Sequence, residues 1–286
     1  MVVKVYEKIL SDEEMNKHKG KNFEERWYKT VIDSSQDGYY NDNILFKFRK
    51  GVINTKYSEI ATDAFLELSK KKHSNRGLAG GILPGKKTAR HLTESGQSEG
   101  RYIASNISGY FDRPLREHRG ILGTIRACRT TAFTLNSKDL WNNGLPFIEL
   151  CSNLFKRFAP TEWEIQKKEW KSIESSLKIP KTVFTTVTSN YNWRTACHQD
   201  AGDFSKGLGN LVVVGKDFKG GYLGFPQFKI LIKIEPGDFL LMDSHQWHCN
   251  TPIKGDGFRL SFVMYIREDM KLCKRKKVIE NNVYYI

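Results

Sequence analysis

From residue 181 to residue 266 the chain is built of strand-length pieces separated by tight turns, and this rhythm constrains its fold more than any other feature. Residues 182–189 are rich in β-branched side chains, and Leu211-Val212-Val213-Val214 is a fully apolar strand. Segments 228–234 and 239–243 follow, with Gly220-Gly221 and Pro236-Gly237-Asp238 as turns. Gly255-Asp256-Gly257 then leads into 259–266, where Leu260, Phe262, Met264 and Ile266 alternate with other residues. Many short strands joined by tight turns predict a double-sheet jelly roll.

The preceding residues read differently. Residues 1–72 are charged and mixed, but Ile60, Ala61, Ala64, Phe65 and Leu68 form one helical stripe. Residues 73–124 are punctuated by Gly77, Gly80, Gly81, Gly85, Gly96 and Gly100 and carry Lys86, Lys87, Arg90 and Arg101. A basic, glycine-rich stretch of this length predicts a functional loop closing over a site. Phe147, Leu150, Cys151, Leu154 and Phe158 recur at helical spacing, with Pro146 placed in the first turn. Thr161-Glu162-Trp163-Glu164 has the form of a capping box opening a second helix, whose stripe is Trp163, Trp170, Ile173 and Leu177 and which Pro180 ends. Those aromatics read as core. The expected class is α+β: a jelly-roll, cupin-like core with helices packed on one sheet. It forms a single domain, 1–286, in which 1–180 supply N-terminal helices and the basic loop, 181–270 the metal-binding half, and 271–286 a basic tail.

Composition narrows the partners. At 286 residues the chain can bury a substantial core. Its net charge of +14 favours a polyanion. No apolar segment is long enough to span a bilayer, and the N-terminus lacks the apolar core of a signal peptide. Cys128, Cys151, Cys197, Cys249 and Cys273 lie far apart without C-x-x-C spacing, which argues against a disulfide framework and a structural zinc site. The expectation is a monomer in a reducing intracellular compartment, nucleus or cytoplasm, and not a secreted protein.

The chemistry sits inside the strand-rich half. His198 and Asp200 are one residue apart, so on an extended segment both side chains point the same way. His248 follows after fifty residues (248 − 198). Two imidazoles and a carboxylate can occupy one face of an octahedral Fe(II), leaving the other positions for a chelating cosubstrate and dioxygen. His245 competes with His248 for the third place; His248 is preferred because it directly precedes the Cys249-Asn250-Thr251-Pro252 turn. Arg259 and Ser261 lie on one face of a strand, where a guanidinium and a hydroxyl can hold the far carboxylate of 2-oxoglutarate.

These residues also carry a resemblance. The segments Asn192-Trp193-Arg194-Thr195-Ala196-Cys197-His198-Gln199-Asp200-Ala201-Gly202-Asp203, Gly207-Leu208-Gly209-Asn210-Leu211-Val212-Val213, Gly220-Gly221-Tyr222-Leu223-Gly224-Phe225-Pro226, Pro236-Gly237-Asp238 and His248-Cys249-Asn250-Thr251-Pro252 resemble the oxygenase domain shared by TET proteins and kinetoplastid J-binding proteins. Ser108-Gly109-Tyr110-Phe111-Asp112-Arg113 and Cys128-Arg129-Thr130-Thr131 echo it more weakly. The resemblance implies a double-stranded β-helix, Fe(II), 2-oxoglutarate and O2, and oxidation of the 5-methyl group of a pyrimidine, 5-methylcytosine or thymine, in DNA. Carried over by motif, His198, Asp200 and His248 would be iron ligands, and Arg259 with Ser261 would hold 2-oxoglutarate. Asp203 falls where TET enzymes place an asparagine that contacts the target base, and J-binding proteins resemble this chain in having an aspartate there. A methyl group inside a duplex cannot reach a buried metal, so the base must be flipped out, and phosphate contacts must offset the cost. Lys86, Lys87, Arg90, Arg113, Arg116, Arg119, Arg126 and Arg129 are candidates, Arg129 alternatively for the cosubstrate pocket. Two other classes share the residue pattern: an oxygenase acting on RNA, protein or a small metabolite, and a non-catalytic nucleic-acid-binding member of the fold.

Overall fold

Leu211 to Val214 carry no polar side chain, so a strand built from them must be covered on both faces. The computed structural model, which describes residues 1–72, 77–81, 103–113, 127–279 and 282–285, covers both. Leu211 and Val213 pack with Leu45, Phe46, Phe225, Ile230 and Leu240 in a layer between two sheets. Val212 and Val214 pack with Ala64, Phe65, Phe147, Phe155 and Phe262 in a layer between the larger sheet and the helices.

In chain order the strands are β1 (Val2–Val5), β2 (Thr30–Ile32), β3 (Gln36–Tyr40), β4 (Asn43–Arg49), β5 (Ser105–Arg113), β6 (Ala127–Thr130), β7 (Thr186–Tyr191), β8 (Gly209–Lys216), β9 (Lys219–Gly220), β10 (Leu223–Phe225), β11 (Ile230–Ile232), β12 (Phe239–Met242), β13 (Cys249–Asn250), β14 (Ile253–Lys254), β15 (Phe258–Tyr265), β16 (Lys276–Ile279) and β17 (Asn282–Tyr285). The larger sheet runs β1-β3-β4-β12-β8-β15-β7-β5-β6-β17-β16 and the smaller β13-β10-β11-β2, with β9 and β14 as a separate ribbon. The central pairings around β8 and β15 are antiparallel. This is the jelly-roll core, with helices on one sheet.

The N-terminal strands were not legible in the sequence. β1 to β4 fall in a stretch expected to supply helices and a loop. β4 pairs with β12, and β2 with β11. Its charged residues hide the strand pattern of β4, because they find buried partners across the pair. Asp37 on β3 takes Arg49 at 2.6 Å and Lys47 at 3.1 Å.

The helices are α1 (Asp12–Asn16), α2 (Thr55–Ser69), α3 (Ala132–Asn136), α4 (Lys138–Phe158) and α5 (Pro160–Ser172). The side chain of Asn54 caps α2 by accepting the Tyr57 amide hydrogen, and Ala61, Ala64, Phe65 and Leu68 face the core as expected. Two details differ from expectation. α4 begins at Lys138, so Pro146 sits in its interior, not in the first turn. Packing overrides the local cost: Gly144 lies so close to Phe65 that a Cβ there would be 2.4 Å from the ring. α5 opens at Pro160, after Ala159 and without a side-chain cap, so the Thr161 capping box is not made; it ends at Ser172, before Pro180. A proline pre-set for the first helical position takes the start.

Two more expectations are corrected. Within the stretch expected to be a basic tail, β16 and β17 pair antiparallel, and Tyr285 of β17 pairs with Cys128 on β6. Cys128 and Cys273 are joined in a disulfide, although they are 145 residues apart. Sequence spacing says nothing about which cysteines a sheet edge will bring together.

Candidate active site

Strand alternation divides β15 between two environments. Leu260, Phe262 and Met264 join the helix-facing core. Arg259, Ser261, Val263 and Tyr265 point the other way and line a cavity of about 340 Å³ at the mouth between the sheets. Ser105, Ile107, Phe111 and Asp112 of β5 line it too, with Thr188 and Asn190 of β7. His198, Asp200, Asp203 and His248 enter from loops and strand ends.

His198 and His248 exchange both backbone hydrogen bonds, at 3.1 and 3.0 Å, which fixes their register. Their rings lie 4.3 Å apart between centroids. Asp200 reaches them both, Oδ1 at 3.4 Å from His198 Nε2 and Oδ2 at 3.8 Å from His248 Nε2. One ligand atom from each residue lies within 4.8 Å of the others. Each Nδ1 is engaged with a backbone carbonyl two residues upstream, Ala196 at 2.7 Å and Gln246 at 2.9 Å. That bond fixes the tautomer and leaves Nε2 turned to the cavity as a ligand. Burial, then the neighbouring His198, pushes His248 down to about 4, so it is a neutral donor at physiological pH. Burial opposes ionisation of Asp200, but the hydrogen bond from His198 and the two imidazoles hold its carboxyl below the usual range. Burial disfavours the charged form of His198, but its hydrogen bond to Asp200 and that carboxylate's charge raise it above the ordinary value. Two imidazoles and a carboxylate fit a divalent first-row cation such as Fe(II). His245 is differently employed: Nδ1 lies 3.1 Å from Asp243 Oδ1 and Nε2 lies 3.4 Å from the Asp203 carbonyl.

Arg259 is 1% exposed. Its Nε and both terminal nitrogens have no hydrogen-bond partner among the described residues. Burial alone lowers its pKa to about 10. The site is built around this side chain: Gly221, at φ +65°, approaches so closely that a Cβ would stand 2.5 Å from Nε. The Asn192 side chain accepts the Arg259 amide hydrogen at 2.6 Å. A buried guanidinium without partners is strongly unfavourable unless an anion joins it. The cavity therefore fits a carboxylate ligand such as 2-oxoglutarate, with Ser261 buried on the same face.

The opposite wall carries Asp203, and with it a residue the sequence reading missed. Arg267 donates from Nε to Asp112 at 2.7 Å and lies 3.6 Å from Asp203 Oδ1. Its signal was its parity with Arg259 and Ser261, continued past the strand end. Burial, then the charge of Asp200, raises the Asp203 carboxyl well above its ordinary value, against the opposing pull of Arg267. Arg129 stacks over the Phe111 ring at 5.1 Å, and that ring lines the cavity. Arg113 ends β5 beside Asp112. Lys86, Lys87, Arg90, Arg116, Arg119 and Arg126, with most of the glycine-rich loop, lie outside the described residues.

A double-sheet jelly roll with a His-x-Asp…His cluster at its mouth and a buried arginine beside it is the arrangement of the 2-oxoglutarate and iron class of oxygenase folds. A family model described as the oxygenase domain of the 2OGFeDO superfamily, Tet_JBP, matches residues 107–268, and the chain belongs to this family. The superfamily uses Fe(II), with 2-oxoglutarate and O2 as cosubstrates. The chain is 35% identical over 168 residues to thymine dioxygenase JBP1 of Crithidia fasciculata, and 33% identical over 168 residues to that of Leishmania braziliensis. Each match covers 57% of this chain and 20% of the relative, so the chain matches about a fifth of the length of these curated proteins. The fold is similar to that of NgTET1 in complex with 5mC DNA, with a TM-score of 0.57 at 11% identity, covering 94% of this chain and 83% of that one.

Proposed function

We propose that the chain is an Fe(II)- and 2-oxoglutarate-dependent dioxygenase that oxidises the 5-methyl group of a pyrimidine base flipped out of DNA. One observation carries the reading: a fully buried Arg259, whose three nitrogens have no partner among the described residues, opens into the same cavity as the His198, Asp200 and His248 cluster. Relatives named thymine dioxygenases support the substrate class. His198, Asp200 and His248 would hold the iron, and Arg259 with Ser261 would hold the cosubstrate. Bound iron, supplied with 2-oxoglutarate and dioxygen, contributes the oxidising power that a methyl C–H bond demands. The side chains contribute position. Asp203, pinned by Arg267, offers the base edge an acceptor if ionised and a donor if protonated. Arg113 and Arg129 are assigned to DNA phosphates, with Arg129 alternatively assigned to the cosubstrate pocket. The net charge of +14 fits a DNA partner. A DNA substrate would place the protein inside the cell, in nucleus or cytoplasm, and it is read as a monomer.

The test is aerobic incubation of the full chain with Fe(II), 2-oxoglutarate and methylated or unmethylated DNA, followed by nucleoside mass spectrometry. A thymidine or 5-methyldeoxycytidine that gains one oxygen, with succinate released, is the expected result and names the base. Unchanged DNA, with succinate made only when RNA, protein or a metabolite is supplied, transfers the reading to another substrate class. No succinate with any substrate favours a non-catalytic binding module.

A further inference from the structure

The two histidines that face the cavity each have a cysteine neighbour, and those cysteines face one another. Because His198 and His248 form a hydrogen-bonded pair across the antiparallel bridge, Cys197 and Cys249 occupy the adjacent non-hydrogen-bonded pair. Directly opposed residues in such a pair have Cα atoms about 4.5 Å apart, and disulfides span Cα separations of about 4.4–6.8 Å. Alternation turns both thiols away from the cavity, into a cluster with Met15, Phe23, Leu231 and Trp247. There the Tyr28 hydroxyl lies 3.3 Å from Cys249 Sγ. Both are free thiols, and both are buried. The N-terminal segment covers them: the Gly20 amide donates to the Cys197 carbonyl, and the Cys197 amide to the Lys21 carbonyl.

We propose that Cys197 and Cys249 are a redox site, a cross-strand dithiol closed to a disulfide by a small peroxide, which shields the thiols behind the His198–His248 pair from irreversible oxidation. The chemistry balances with hydrogen peroxide as the oxidant. One sulfur attacks a peroxide oxygen, the O–O bond breaks, and a sulfenic acid and one water result. The second sulfur attacks the first, the S–O bond breaks, the S–S bond forms, and a second water leaves with the remaining thiol proton. Two thiols lose two electrons and one peroxide becomes two waters. A bulky disulfide such as oxidised glutathione cannot reach buried sulfurs, whereas peroxide needs little space. The strands are already opposed, so closure leaves His198 and His248 in place. A single thiol in the same position has no resolving partner and proceeds to the sulfinic acid.

The test uses the full chain, with Cys151 of the helical layer as internal control. Protein treated with hydrogen peroxide is alkylated under denaturing conditions, digested with trypsin and mapped. The expected product joins peptides 195–206 and 234–254 and is lighter by two hydrogens than the two thiol peptides together. Recovery of Cys197 and Cys249 as alkylated thiols, or as separately oxidised residues, overturns the proposal. Co(II) binding, read from its visible absorption, is expected to change on closure by less than the roughly 10–100-fold that disturbing a ligand's support costs. A larger loss overturns the shielding role. In Cys249→Ser, peroxide is expected to add two oxygens to Cys197 beyond rescue by reductant, while the wild type recovers; equal recovery of both refutes the shield. Peptide mapping of the wild type stands even where the variant does not fold. The mapping is also independent of the proposed substrate, and absence of Co(II) binding in the reduced protein counts against the metal assignment and not against the dithiol.

Discussion

His245 and His248 are three positions apart and chemically identical, yet their surroundings drive them in opposite directions. Burial beside His198 depresses His248, whereas a hydrogen bond to Asp243, partly opposed by burial, raises His245. A raised imidazole stabilises the fold fully below its unfolded value of about 6.5, and that contribution fades as pH rises through the higher folded value. Thermal unfolding of wild type and His245→Asn between about pH 5.5 and 8.5 is therefore expected to show a gap that is widest in acid and shrinks toward alkaline pH. The gap should stay near 1 kcal/mol or below, because the pair is partly exposed. Arg259 gives a sharper prediction. Gly221→Ala would push a methyl group against its Nε and strain a left-handed backbone. Losing one charged hydrogen bond costs about 1.5–3 kcal/mol, so 2-oxoglutarate affinity is expected to fall roughly ten- to a hundredfold by calorimetry. Metal affinity should be unchanged; an equal loss of both would refute a separate cosubstrate wall. At this scale the sequence was informative. His198 with Asp200, and Arg259 with Ser261, share a face through local strand alternation alone. Arg267 was not legible, because its partner Asp112 lies 155 residues away.

Elements were legible where one face met one environment. The α2 stripe and the alternation of β15 read correctly, since each pattern reports a single neighbour layer. β4 was obscured because its lysine and arginine are buried against Asp37, a pairing no local window contains. Pro146 and the missing Thr161 cap show tertiary contact outweighing local preference. Between elements, β5 is tied to the segment after β15 by Asp112 and Arg267, with Asp112 only 2% exposed. Removing one partner of a buried ion pair leaves the other charge uncompensated. Asp112→Asn is expected to lower stability by about 3 kcal/mol, the lower end for such pairs because Arg267 is partly exposed, with the urea midpoint as the measure. A midpoint shift near zero would show that the pair is not what joins these elements.

The whole molecule is held by three layers and one covalent tie. Cys128 and Cys273 close a loop across 145 residues, linking β6 to the segment before β16. Cys273→Ser is expected to cost about 2–4 kcal/mol in denaturant unfolding, chiefly by freeing the unfolded chain. An unchanged midpoint would mean that β16 and β17 dock without the bond. The sequence by itself determined the strand-and-turn rhythm, the His-x-Asp…His spacing, the shared face of Arg259 and Ser261 and the positive charge, because each is expressed within a few neighbouring residues or in a sum over all of them. Only the tertiary structure decided which cysteines pair, which charges are buried against each other, and that Arg259 has no partner among the described residues. Those properties belong to contacts between distant segments, and the free energy that selects them exists only once the sheets have closed on one another.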